Sequence, residues 1–93
     1  MNTEAKSNSK KNFVLEQKPM PYEKYSNINH DKLLLYCIWK LKSNNFEVLE
    51  PDVGILAFKL FPKKFSLVGY PNFPDLVKAR NTFGIFMIKV MDG

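Results

Sequence analysis

Lys78, Arg80, Asn81 and Thr82 follow closely behind Pro74-Asp75, and these four residue types are the ones that read nucleic acid. Lys and Arg reach guanine edges or phosphates, and Asn pairs with adenine. Pro74-Asp75 opens a helix, so its first turns would present the four side chains rigidly to a major groove. The alternative is an ordinary solvated helix face. Upstream lie Lys59, Lys63 and Lys64, where phosphate contact competes with plain solubilisation. Lys6, Lys10, Lys11 and Lys18 form either a basic arm that tracks a groove or a disordered tail. Phe65, Tyr70 and Phe73 are stacking platforms in principle, but their Pro and Leu neighbours favour a role as core pins.

Chemistry of other kinds finds little support. There is no Gly-rich phosphate loop, no nucleophile elbow and no His-x-Glu pattern. With one histidine, His30, and one cysteine, Cys37, neither a Cys/His zinc cluster nor an internal disulfide can be assembled. Cys37 sits among Leu35, Tyr36 and Ile38 and reads as a small buried hydrophobe. His30 either caps a helix or stays exposed. Glu47, Glu50, Asp52 and Asp75 gather at helix starts, where capping and the helix dipole account for them. The expectation is a non-enzyme with no catalytic residues, metal or cofactor.

The elements that must position these residues occupy 93 positions, enough for one domain of modest stability. An apolar fraction of 45% and an aromatic fraction of 14% suffice for a core. Net charge is +5: residues 1–27 hold five Lys and three Glu, and residues 28–93 hold nine Lys/Arg and six Asp/Glu. A basic balance favours polyanions, or simply keeps an aromatic-rich chain in solution. No apolar h-region or membrane-length apolar run is present, so a cytoplasmic, reducing location is expected.

Residues 1–27 read as a flexible N-terminal arm, with Met1–Asn12 disordered and residues 13–27, with scattered hydrophobes around Pro19 and Pro21, extended. Residues 28–93 read as the folded domain. Asn29 and Asp31 offer caps to a first helix with apolar residues at 34, 35, 38 and 41, Trp39 in the core, and Lys32, Lys40 and Lys42 in water. Asn44-Asn45 ends it. Glu50-Pro51-Asp52 starts a second helix that Pro62 stops. A third begins at Pro74-Asp75, with Leu76, Ala79, Phe83, Phe86 and Val90 facing the core. It is expected to run to about Phe83, and Ile85–Val90 alternates enough to be either more helix or a strand.

Three helices with an irregular connector suggest a helix-turn-helix core. The segments Leu60-Phe61-Pro62-Lys63-Lys64-Phe65-Ser66-Leu67, Gly69-Tyr70-Pro71-Asn72-Phe73-Pro74-Asp75 and Lys78-Ala79-Arg80-Asn81 resemble a stretch of uncharacterised prokaryotic winged-helix-like proteins, over about residues 30–83. The resemblance implies a mainly α, three-helix winged-helix-like domain, with Lys78, Arg80, Asn81 and Thr82 on the recognition helix. Two departures stand out. About a dozen residues separate Phe61 from Asp75, and the chain ends at Gly93 without room for a full wing. The wing is therefore expected to be reduced or absent, or the sequence is a piece of a longer protein.

The function these observations suggest is binding of nucleic acid, in particular duplex DNA, as in transcriptional regulation in a prokaryote or virus. The alternative is a protein–protein interaction module, a subunit, adaptor or inhibitor of a larger complex. In that case the apolar C-terminal segment (Ile85, Phe86, Met87, Ile88, Val90, Met91) serves a homodimer or a protein partner.

Overall fold

Six helices and one hairpin make up the chain in the computed structural model, which describes the backbone of residues 3–92 and the side chains of residues 8–84. In order they are α1 (Thr3–Leu15), α2 (Tyr22–Tyr25), α3 (His30–Ser43), α4 (Glu50–Leu60), α5 (Pro62–Phe65), β1 (Ser66–Leu67), β2 (Tyr70–Pro74) and α6 (Leu76–Asp92). The fold is mainly helical, with a two-stranded antiparallel sheet that pairs Ser66 with Pro74 and Leu67 with Tyr70.

Helix α4 is the central element and packs against α1, α3, α5 and α6. Its buried residues Val53, Leu56, Ala57 and Leu60 recur at three- and four-residue spacing and meet Leu33, Leu34, Cys37 and Leu41 of α3. Pro51 occupies its first turn, where a missing N–H costs nothing. Its other end is sharper than a simple proline stop. Phe61 leaves helical geometry, and Pro62 opens the single turn α5, whose Phe65 is wholly buried. Asn45 ends α3 with a positive φ of 63°, a conformation that Asn tolerates better than most residues.

The hairpin comes between α5 and α6, ahead of the last long helix, and its turn places Gly69 at φ +82°. Helix α6 continues through residues 85–90, which resolves the helix-or-strand alternative there. The side chains of Phe86, Val90 and the other C-terminal hydrophobes lie outside the described residues.

Residues 1–27 depart most from expectation. The segment read as disordered is helical from Thr3, and it docks on α4. Val14 is buried and Phe13 packs on the core, with its ring 5.3 Å from that of Phe46. Lys10, read as part of a tail, is buried with its Nζ 2.7 Å from Asp52 Oδ2. A polar segment gains order here through two apolar residues at its end and one internal ion pair. Residues 13–27, read as extended, are helical through Leu15 and again at Tyr22–Tyr25; the linker around Pro19 and Pro21 is non-helical and anchored, with the Met20 N–H donating to the Leu60 carbonyl at 2.9 Å. Tyr25 beyond it is a core residue, 1% exposed.

Two glycines differ in consequence. Gly54 lies where α4 crosses α6, and a Cβ built there would stand 3.0 Å from Leu76 Cδ2 and 3.5 Å from Ala79 Cβ. Gly84 has open space around it. Gly84→Ala should therefore raise stability by about 1 kcal/mol, whereas Gly54→Val should lower it by pushing α4 from α6. Urea midpoints of the two variants, moving in opposite directions from wild type, would check both.

Candidate interaction surfaces

The residues expected to contact nucleic acid divide between two places. Ala79 is buried against α4, so its neighbours Lys78 and Arg80 emerge on opposite flanks of α6, about 100° per residue to either side. Lys78 is exposed on the flank toward the start of α3 and α5, where its charge and that of Lys64 act on His30. Arg80 is exposed on the other flank, with Nε 3.6 Å from Glu50 Oε1, a contact too long for a hydrogen bond and open to screening by salt. There it lines a cleft of about 230 Å³ with Glu50, Gly54, Leu76 and Val77. Asn81 points outward. Thr82 is half-buried and its Oγ1 donates back to the Lys78 carbonyl at 2.9 Å. Asp75 caps the helix, accepting from the Lys78 N–H at 2.9 Å. Its carboxylate stands where a phosphate would otherwise use the helix start.

Of the upstream lysines, Lys59 is half-buried in the last turn of α4, and Lys63 is exposed on α5. Lys64 acts as a strut: its Nζ donates to the Ile28 carbonyl at 2.7 Å, tying α5 to the turn before α3. The structure thus brings Lys64 and Lys78 together around His30, and it places Arg80 elsewhere.

His30 is neither a cap nor free. Its ring meets Phe65 edge-on at 5.1 Å, and Nε2 lies 3.2 Å from the Lys64 carbonyl. A carbonyl only accepts, so Nε2 carries the proton. Burial holds the His30 pKa below its usual 6.5, and the Lys78 charge depresses it further; the hydrogen bond to the Lys64 carbonyl offsets this in part. A depressed histidine stabilises the fold fully only above the unfolded-state value. As the pH drops below about 6.5 the unfolded chain gains a proton first, and stability falls until the folded-state pKa is passed. Thermal midpoints of wild type should therefore decline more between pH 7 and pH 5 than those of His30→Gln. Parallel declines would remove His30 as the cause.

Cys37 is fully buried, and burial pushes its thiol up to about 12, which makes it unreactive in the folded chain. Among the described residues, no three His, Cys, Asp or Glu side chains gather as a metal site would require. No described helix is long and apolar enough to cross a membrane.

A second surface was not foreseen. Trp39, expected in the core, is 57% exposed, and Leu35 is 48% exposed. The reason is angular: Leu33, Leu34, Cys37 and Leu41 form the buried stripe of α3, and Lys32, Leu35 and Trp39 fall on the opposite half of the helical wheel, with half-buried Tyr36 at its edge. Tyr36 and Trp39 rings are 5.6 Å apart, and Lys40 Nζ stands 5.8 Å from the Tyr36 ring centre, within cation–π range. Beside this face, between α2 and α3, runs a groove of about 240 Å³ with Met20, Ile28, Leu33 and Tyr36 in its lining and Lys24 and Lys32 among the lining residues as well. The signal was present in the sequence as Leu35 and Trp39 at i, i+4, out of phase with Leu34, Cys37 and Leu41.

The hairpin adds exposed Tyr70 and Phe73, with ring centres 6.3 Å apart. The core-pin expectation thus holds for Phe65 alone. A two-stranded ribbon has a face with no second layer to cover it.

No protein-family model matches the chain, and comparison with characterised proteins and with solved structures finds no match. The fold and the two surfaces therefore carry the functional argument by themselves.

Proposed function

We propose that this chain is a protein-interaction module, a small helical subunit or adaptor whose binding face is the outer side of α3. The observation that carries the reading is the cluster of exposed Leu35 and Trp39 around half-buried Tyr36, bordered by lysines and continuous with an apolar groove. Contiguous apolar exposure rimmed by polar residues is characteristic of interaction sites, and Trp and Tyr are the residues most enriched among binding hot spots. A cytoplasmic setting accords with it, given the lone buried thiol.

Leu35→Ala/Trp39→Ala removes the face without touching the core. The variant should keep wild-type stability and lose a stoichiometric partner that crosslinks to the wild-type chain in its source cells. An identical set of crosslinked partners for the two chains would overturn this reading.

Nucleic-acid binding is the second reading, favoured by the approach of Lys64 and Lys78 to His30 with Lys63 and Asn81 exposed. Its test is titration into labelled duplex DNA at two salt concentrations, with Lys63→Ala/Lys78→Ala alongside. Binding that weakens steeply with salt in wild type, and is lost in the variant, would favour this reading over the first.

A further inference from the structure

Resting on the interaction-module reading, we infer that the groove between α2 and α3 receives one bulky apolar side chain from an acidic segment of a partner protein, with Lys24 and Lys32 meeting the carboxylates that flank it. Size comes first. About 240 Å³ falls below the roughly 300–1,000 Å³ of sites that enclose whole small molecules, and it suits a single anchoring side chain. The walls are apolar and aromatic, and Met20 gives one of them an adaptable thioether.

Charge comes second. Among the described residues, the charged ones in the lining are Lys24 and Lys32, and Lys40 follows above Tyr36. Neither adjacent carboxylate residue, Glu23 or Asp31, lines the groove, and Asp31 Oδ1 accepts the Lys32 backbone N–H at 3.0 Å. A complementary ligand is therefore negative around an apolar centre. A nucleobase would satisfy the lysines through its phosphate, but its polar edges would lose their water against this apolar floor without replacement partners. A second copy of the chain, at net charge +5, meets like charge.

Preorganisation comes third. The groove is held open by bonds that have nothing to do with a ligand. Met20 N–H binds the Leu60 carbonyl at 2.9 Å, the Lys63 N–H donates to Tyr25 Oη at 3.3 Å, and Lys64 Nζ holds the Ile28 carbonyl at 2.7 Å. Each bond fastens one lip residue to the α4–α5 junction. A site whose walls are already ordered loses less entropy on binding.

The probe is a displayed library of random peptides selected on the full chain and counter-selected on Lys24→Glu/Lys32→Glu. Enriched peptides should share a Leu, Phe or Trp flanked by Asp or Glu. By fluorescence anisotropy their affinity should drop at least about tenfold on the charge-reversed variant, with the salt dependence lost. Met20→Trp, which fills the groove, should also abolish binding while circular dichroism stays native. No enrichment, enrichment of uncharged or basic peptides, or equal binding to Met20→Trp would overturn the inference. So would binding of phosphatidylserine vesicles in place of any peptide, which would make the face a lipid-contacting one. These failures leave the module reading standing if Leu35→Ala/Trp39→Ala still loses its crosslinked partner. Loss of that result as well would remove both.

Discussion

Phe65→Ala is expected to remove most of the chain's stability and to bring its urea midpoint far below that of wild type. The side chain is wholly buried, and truncating a core phenylalanine costs about 3–5 kcal/mol. Small domains have only about 5–15 kcal/mol in total, and a chain this short sits toward the lower end. Position adds to the loss of volume. Phe65 N–H donates to the Phe61 carbonyl at 3.1 Å, and the Phe65 carbonyl accepts the Asp75 N–H at 2.7 Å. The residue thus links the end of α4 to the entrance of α6 while its ring packs on His30. A void there loosens α5, the hairpin and α6 together. Phe65→Leu keeps most of the volume and should cost no more than about 1.5 kcal/mol. Urea unfolding followed by circular dichroism distinguishes them, and an unmoved midpoint for Phe65→Ala would refute the central place given to this residue.

Asp52→Ala should be the most damaging change among the charged residues, and more damaging than Lys10→Met. Side chains of Lys10 and Asp52 are 10% and 20% exposed, with Nζ and Oδ2 2.7 Å apart. Removing the carboxylate leaves an ammonium in a nearly dry position with the Glu47 carbonyl, at 3.2 Å, as its remaining partner. Loss of one member of a buried pair typically costs about 3–5 kcal/mol; the value here is expected near about 3 kcal/mol because Asp52 retains some water. Lys10→Met replaces the cation with an apolar chain of similar reach. Asp52 then keeps the favourable dipole at the start of α4. The double variant should lie closer to wild type than Asp52→Ala alone, which is the sign of direct coupling in a double-mutant cycle. Additive effects would mean that α1 does not dock through this pair.

Much of α3 and α4 was legible in the sequence because local chemistry and global packing agree there. Pro51 and the acids of Glu50-Pro51-Asp52 open α4, and a three- and four-residue rhythm of Val53, Leu56, Ala57 and Leu60 fills its inner face. Helix α1 was not legible. Its ordering depends on Lys10 finding Asp52, a contact between residues far apart in the chain that no local pattern announces. Trp39 was misplaced for a related reason: apolarity alone put it inside, whereas its phase relative to Leu34, Cys37 and Leu41 puts it outside. The expected site shows the same limit. Lys78 and Arg80 are two residues apart in sequence, yet the burial of Ala79 between them sends them to different flanks. The hairpin is also where spacing misleads, since it fills the connector ahead of α6 that read as irregular.

Trp39 is the only tryptophan of the chain, and it already faces solvent in the folded state. Its intrinsic emission should therefore shift little when the fold is lost, and it is a poor optical gauge of unfolding. The same indole stands on the proposed binding face, so an arriving partner should move its emission maximum to the blue. The chain thus carries a built-in reporter that responds to complex formation more than to folding.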